Sequence, residues 1–318
     1  MSNDTRKQAQ SATGKAAAQQ GRRGTAGRQA RGKVAAQQAR EKVAAQRARA
    51  RRAEARRRAL ILGGAITVVL AVVAALVAVK LTRSPERAAP AAADASVERS
   101  IASIPASTFN AVGAGTAASL KTISGEPELT LDGKPEVLYM GGEYCPYCAA
   151  ERWAVAAALD RFGALSGTKF IHSSPTDVYP STPTMSFYKS SYTSKYVAFA
   201  PVEWYSEKPD SATPTGYAYL QQPTSAQAAL FNRYSGGGFP FVDIGNRYVA
   251  SGVQYLPSTL ANMTWAQVAA AMRDPSSPVA RDIDGAANMI TAAICKLTHG
   301  QPASVCNSAG VRAAEASI

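Results

Sequence analysis

Leu60–Val79 is a run of 20 residues without a charged side chain. As a helix rising about 1.5 Å per residue, it reaches about 30 Å, the thickness of a bilayer's hydrocarbon core. Arg56, Arg57 and Arg58 stand directly before it. The positive-inside rule then leaves the N-terminus in the cytoplasm and residues after about 82 outside. The run reads as a transmembrane signal anchor over 59–81. A cleaved signal peptide, with Ala89-Pro90-Ala91 as its A-x-A site, is the alternative; a 58-residue basic leader and a 20-residue apolar run are both long for one.

The formal net charge of +13 takes a different meaning once it is divided at this run. Residues 1–58 hold 17 Lys and Arg against 3 Asp and Glu, and the rest hold 18 against 19. Basicity therefore belongs to the tail. The near-neutral remainder carries no electrostatic footprint for nucleic acid, and no nucleic-acid partner is expected. The tail has no aromatic residue, Ile or Leu. It cannot bury enough apolar surface to offset the entropy of ordering, so it reads as a disordered or transiently helical cytoplasmic segment. Its charge suits anionic lipid of the inner leaflet, or serves only to set topology. Residues 82–104, rich in Ala with Pro85 and Pro90, read as a linker, within which 97–104 begins a helix. Residues 105–318 read as an extracytoplasmic domain.

Four cysteines are present: Cys145, Cys148, Cys295 and Cys306. Cys145-Pro146-Tyr147-Cys148 lacks the second CxxC or HxxxH that a zinc site needs, and no metal or other cofactor is expected. An even count in an exported domain fits disulfide chemistry. Before the motif, Glu128–Leu131 reads as a strand, Asp132-Gly133 as a turn and Glu136–Met140 as a second strand. After it, Ala149–Phe162 reads as a helix ended by Gly163, with Val155, Leu159 and Phe162 on one face. Thr168–His172 reads as a strand. Residues 173–223 are rich in Tyr, Ser, Thr and Pro, with Tyr196–Ala200 and Val202–Tyr205 extended. Ser225–Tyr234 reads as a helix, Phe241–Ile244 and Arg247–Ala250 as a hairpin about Gly245-Asn246, and Thr264–Met272 and 279–298 as helices.

The motif thus stands where a strand meets a helix. Thiolate is the attacking species in disulfide exchange, and the unsatisfied N–H groups and dipole of a helix start favour negative charge. Cys145 is the expected attacking thiolate, and Cys148, one turn on, the resolving thiol. A static disulfide is the bland alternative. Glu143, Glu151 and Arg152 could tune the thiols or carry a proton, though solvated surface charges are the ordinary reading. Trp153 reads as core and His172 as a hydrogen-bonded His without a special role. Cys295 and Cys306 read as a structural disulfide pinning the C-terminus, or else as a second redox pair.

The order strand, CxxC helix, strand, insertion, helix, X-Pro, hairpin, helix resembles the thioredoxin fold over about residues 105–300. The resemblance implies an α/β, thioredoxin-like domain with an insertion between its second core strand and second core helix. It also implies that Pro240 is a cis-proline facing the CxxC, and that Phe239 and Tyr147 bind substrate. The CPYC residues are similar to those of glutaredoxins and of a periplasmic disulfide isomerase. The stretch Gly141–Trp153 is similar to a narrower family of membrane-anchored, thioredoxin-like proteins of unknown function. On this resemblance the chain is a membrane-tethered thiol–disulfide oxidoreductase, working as oxidase, reductase or isomerase. Its partners would be exported cysteine-containing proteins and a membrane redox protein. The competing reading is a redox-inert scaffold of an envelope complex that binds through residues 173–223.

Overall fold

The apolar run before the cysteines becomes the central strand of a mixed sheet. The structure, a computed structural model, describes residues 90–318. The basic tail, the expected anchor at 59–81 and the linker as far as residue 89 lie outside the described residues. Among the described residues no helix is long and apolar enough to cross a membrane.

The main sheet holds β1 (Lys121–Thr122), β2 (Thr130–Leu131), β3 (Lys134–Gly142), β4 (Ala198–Pro209), β5 (Tyr217–Tyr219), β6 (Phe241–Ile244) and β7 (Tyr248–Ser251). Their spatial order is β1-β7-β6-β3-β4-β5, with β2 beside the start of β3. Only β3 and β4 run parallel, with Val137 opposite Phe199 and Met140 opposite Val202. On its other side β3 pairs antiparallel with β6, Met140 opposite Phe241. From Glu136 to Gly142 every residue of β3 is buried. A strand covered on both faces has no reason to alternate, and its sequence does not. The β6–β7 turn takes Gly245 and Asn246 at φ 65° and 56°, the left-handed pair that a tight hairpin requires.

Eight α-helices accompany the sheet among the described residues: α1 (Pro90–Ala102), α2 (Ala106–Val112), α3 (Pro146–Leu159), α4 (Ser225–Ser235), α5 (Trp265–Ala271), α6 (Pro278–Leu297), α7 (Ala303–Cys306) and α8 (Ala309–Glu315). Capping boxes start α4 at Thr224 with Gln227 and α5 at Thr264 with Gln267. In α3 every residue except Tyr147 is buried. Its six alanines let α6 and the ribbon strand Pro183–Ser186 pack against it. The single apolar face read from Val155, Leu159 and Phe162 is thus only part of a helix enclosed on all sides.

Two expectations need correction. Thr168–His172 does contain a strand, Lys169–His172, but it pairs with Pro183–Ser186 outside the main sheet. Lys169–His172 is exposed at both ends, Lys169 and His172, and takes its ladder partner from the ribbon. The 12-residue β4, drawn from the stretch read as an insertion, takes the place beside β3. The long connection therefore lies between α3 and the parallel strand β4. The described part of the linker is also ordered: Val97, Ile101 and Ile104 are buried in the main core cluster. The first two lie four residues apart, on one face of α1. Glu98 Oε1 accepts the Thr168 N–H and hydroxyl, each at 2.6 Å.

Candidate functional site

β3 ends at Gly142, and the chain turns there by a hydrogen bond from Cys145 N–H to Gly142 O of 3.1 Å. Cys145 is the N-cap of α3, with extended backbone at φ −76° and ψ 123°, and Pro146 opens the first turn. Proline fits that position because it needs no N–H partner. The cap acceptor, usually a Ser or Asp oxygen, is here a sulfur: Cys148 N–H donates to Cys145 Sγ at 3.3 Å. The helix start thus directs an orphan donor at the first sulfur. Both thiols are free; Cys145 is 6% exposed and Cys148 is fully buried.

The two sulfurs differ electrically. A hydrogen bond from Cys148 lowers the Cys145 pKa most, against burial, and the N–H groups of Cys148 and Tyr147 and the charge of Arg152 lower it further. Burial holds the Cys148 thiol well above its usual range, and the bond to Cys145 adds to this. The slightly exposed sulfur is therefore the one that ionises.

Arg152 lies one turn beyond Cys148, and its side chain is wholly out of solvent. Its Nε donates to Glu203 Oε1 at 2.9 Å and its Nη2 to Glu203 Oε2 at 2.7 Å. Nη2 also donates to Gly142 O at 2.8 Å. Glu203, on β4, is equally buried and takes a third bond from Phe187 N–H at 3.0 Å. Burial opposes the Arg152 charge, and Glu203 outweighs it, so the guanidinium stays charged. The Tyr139 ring faces it, 5.7 Å from the guanidinium carbon.

Glu143 and Glu151 are buried as well. Burial raises Glu143 to about 7, helped by a hydrogen bond to Glu207, whose own pKa that bond lowers. Burial likewise raises Glu151 to about 7, partly offset by the Gln254 N–H that its Oε2 accepts at 2.9 Å. The solvated-surface reading of Glu143, Glu151 and Arg152 is thus wrong. Their partners Glu207, Gln254 and Glu203 are remote in sequence, and no local pattern announces them. Trp153 is core, its Nε1–H donating to Pro183 O at 3.0 Å. His172 is exposed and lies against the Trp265 ring.

A segment from Ser173 to Thr182 covers the motif. Ser174 N–H donates to Tyr144 O at 2.8 Å, and Tyr217 on β5 donates its hydroxyl to Ser174 Oγ at 2.6 Å. Tyr144 stacks on Tyr217 at 4.1 Å, and Tyr147 meets Tyr179 edge-on at 5.7 Å. Tyr147, expected to bind substrate, is thus half-buried under this cover. Phe239-Pro240 is a cis peptide. Continuing the β3–β6 register one step beyond Met140 and Phe241 puts Pro240 across from Gly141, at the end of β3 that leads into the cysteines. The Phe239 ring lies among Phe231, Trp204 and Tyr205. Cys295, in the last turn of α6, is bonded to Cys306 in α7, with Cα atoms 5.6 Å apart. Among the described residues no group of three or more His, Cys, Asp or Glu is placed to hold a metal ion.

The model of the family described as a domain of unknown function (DUF929) matches residues 122–296, more than half of the chain. The chain belongs to the DUF929 family. The DUF929 match runs from β1 to the end of α6, so it includes Cys145, Cys148, Arg152, Glu203 and Pro240 but stops before Cys306. No curated protein and no solved structure matches the chain.

Proposed function

We propose that this DUF929 protein is a thiol–disulfide oxidoreductase with a thioredoxin-like domain, tethered outside the membrane by residues 59–81 and acting on exported cysteine-containing proteins. The observation that carries this reading is the N-cap role of the Cys145 sulfur. A cap sulfur that accepts an N–H and has a lowered pKa is an activated nucleophile. The thioredoxin-like assignment draws support from the parallel β3–α3–β4 unit, the following helix α4, and the cis Phe239-Pro240 that leads into the β6–β7 hairpin beside β3.

In the reducing direction the Cys145 thiolate attacks one sulfur of a substrate disulfide. A Cys145–substrate disulfide forms, and the other substrate sulfur leaves as thiolate. That thiolate takes up the proton that Cys148 gives up. Cys148 then attacks Cys145 Sγ, the intramolecular disulfide closes, and the second substrate sulfur departs. Two electrons pass from the protein to the substrate. Oxidation of a substrate dithiol is the same sequence reversed, and a membrane redox protein would reset the pair in either case.

Cys148→Ser in the full-length chain tests this. The resolving thiol is gone, so mixed disulfides with exported proteins should accumulate and map by mass to Cys145. Adducts that still form in the Cys145→Ser, Cys148→Ser double variant, or none with Cys148→Ser, would overturn the assignment.

A further inference from the structure

Arg152 reaches the cysteine pair by two independent routes. The first is helical geometry. Residues i and i+4 share a helix face, and helical side chains lean toward the N-terminus, so Arg152 leans back over the turn that carries Cys148. The second is a shared acceptor. Gly142 O takes the Cys145 N–H at 3.1 Å and Arg152 Nη2 at 2.8 Å, which ties the guanidinium to the turn that positions the first sulfur. Glu203 occupies Nε and Nη2 only. Nη1 is buried and has no hydrogen-bond partner among the described residues. The guanidinium stands in a buried site, where charge acts over several ångströms with little screening.

We infer that Arg152 is a positioning residue for the Cys145–Cys148 pair: its buried guanidinium supplies positive charge that stabilises the ionised sulfur, and Glu203 both orients that guanidinium and moderates its charge. The inference rests on the thiol–disulfide reading and deepens it. The titratable groups around the sulfurs and the ion pair include Tyr139 on β3, Glu143 and Tyr144 in the turn, Arg152 on the same helix and Glu203 on β4, with Asp177 beyond Tyr144. Arg152 is the member of this group that favours thiolate. Glu203 has two opposed effects, since it fixes Arg152 and subtracts from its field. A purely structural ion pair would leave the ionisation of the sulfur unmoved when both halves are removed together.

The test uses the full chain, purified in detergent. The rate of Cys145 alkylation by iodoacetamide is followed against pH with mass assignment of the site, and the Cys145–Cys148 equilibrium with glutathione is measured in parallel. Arg152→Met should move the alkylation profile upward by about one unit or more, the usual effect of losing a nearby opposite charge. It should also shift the glutathione equilibrium about tenfold or more toward the disulfide. Glu203→Gln should move both in the opposite direction. Arg152→Met leaves a buried carboxylate unpaired, so the double variant Arg152→Met, Glu203→Leu provides the folded counterpart. Its profile should also move upward, because of the two charges Arg152 is the one that acts on both sulfurs. An unmoved profile in the double variant, or a Glu203→Gln shift of the same sign as Arg152→Met, overturns the inference. A wild-type profile at the ordinary thiol value of about 8.5, with no glutathione exchange, instead overturns the oxidoreductase reading beneath it.

Discussion

Arg152 and Glu203 meet through two hydrogen bonds of 2.7 and 2.9 Å, with both side chains entirely out of solvent, at the base of the turn that carries Cys145. Such a pair contributes little net stability by its presence but a great deal by its completeness. Arg152→Ala should destabilise the fold by about 3–5 kcal/mol in urea unfolding, because it strands the Glu203 carboxylate. Replacing both partners by apolar residues should leave stability near that of the wild type or above it. Equal losses for the single and double changes would contradict this.

Buried carboxyls set the pH dependence. Glu151 is fully buried and its pKa is raised by burial from 4.5 to about 7. A raised folded-state value means that Glu151 favours the fold fully below about pH 4.5 and loses that contribution as pH rises through 7. Glu143, also raised to about 7, acts in the same direction. Unfolding free energy should therefore fall between pH 4.5 and 8. Glu151→Gln keeps an acceptor for the Gln254 N–H and removes the charge. It should recover up to about 3 kcal/mol at pH 8 and nothing at pH 4, as urea unfolding at the two pH values would show. A variant that follows the wild-type slope would rule out Glu151 as the source.

The cover over the motif should govern access and leave ionisation unchanged. Tyr179→Ala removes the ring that meets Tyr147, and Tyr217→Phe removes the hydrogen bond to Ser174. Each should raise the limiting alkylation rate of Cys145 by about two- to tenfold while the midpoint of its pH profile stays fixed, on the order of the 0.5–1.5 kcal/mol carried by one such contact. A shifted midpoint with an unchanged limiting rate would show that these tyrosines act electrically.

Gly141 is held to a hydrogen atom by its neighbour on the strand. A Cβ there would collide with the Tyr139 hydroxyl and come within 2.8 Å of Cζ of the same ring. That ring is buried and packed edge-on against Phe187 at 5.1 Å, so it has nowhere to swing. Gly141→Ala should cost about 1–3 kcal/mol, and Tyr139→Phe in the same chain should return part of the loss. Full stability of Gly141→Ala in thermal unfolding would contradict the packing.

The C-terminal disulfide separates structural from redox roles. Cys295→Ser with Cys306→Ser opens a short loop closed between α6 and α7, and should lower stability by about 2–3 kcal/mol. Disulfide exchange at Cys145 should be unaffected. Loss of exchange in a chain that remains folded would make the second pair part of the electron path.

Local signals were legible in the sequence; long-range ones were not. The strand–cysteine–helix junction, the Gly245-Asn246 turn and the helices over 264–272 and 279–298 are each written within a few adjacent residues. Sheet membership is not: whether Lys169–His172 or Ala198–Pro209 lies beside β3 depends on length and register against a distant strand. The same holds for the site. Cys145 and Cys148 stand out by spacing, but Arg152 looks like a surface charge until Glu203, 51 residues away, is known to meet it. Alanine also conceals burial, since a helix with six alanines reads as amphipathic when it is enclosed all round.

Insulin reduction with a dithiol reductant tests the central claim most directly. The full-length chain in detergent should accelerate precipitation of the insulin B chain, and Cys145→Ser should abolish the acceleration while leaving the unfolding transition in place. Acceleration that survives Cys145→Ser, or none by the wild type with Cys145 and Cys148 reduced, would contradict a thiol–disulfide function for this site.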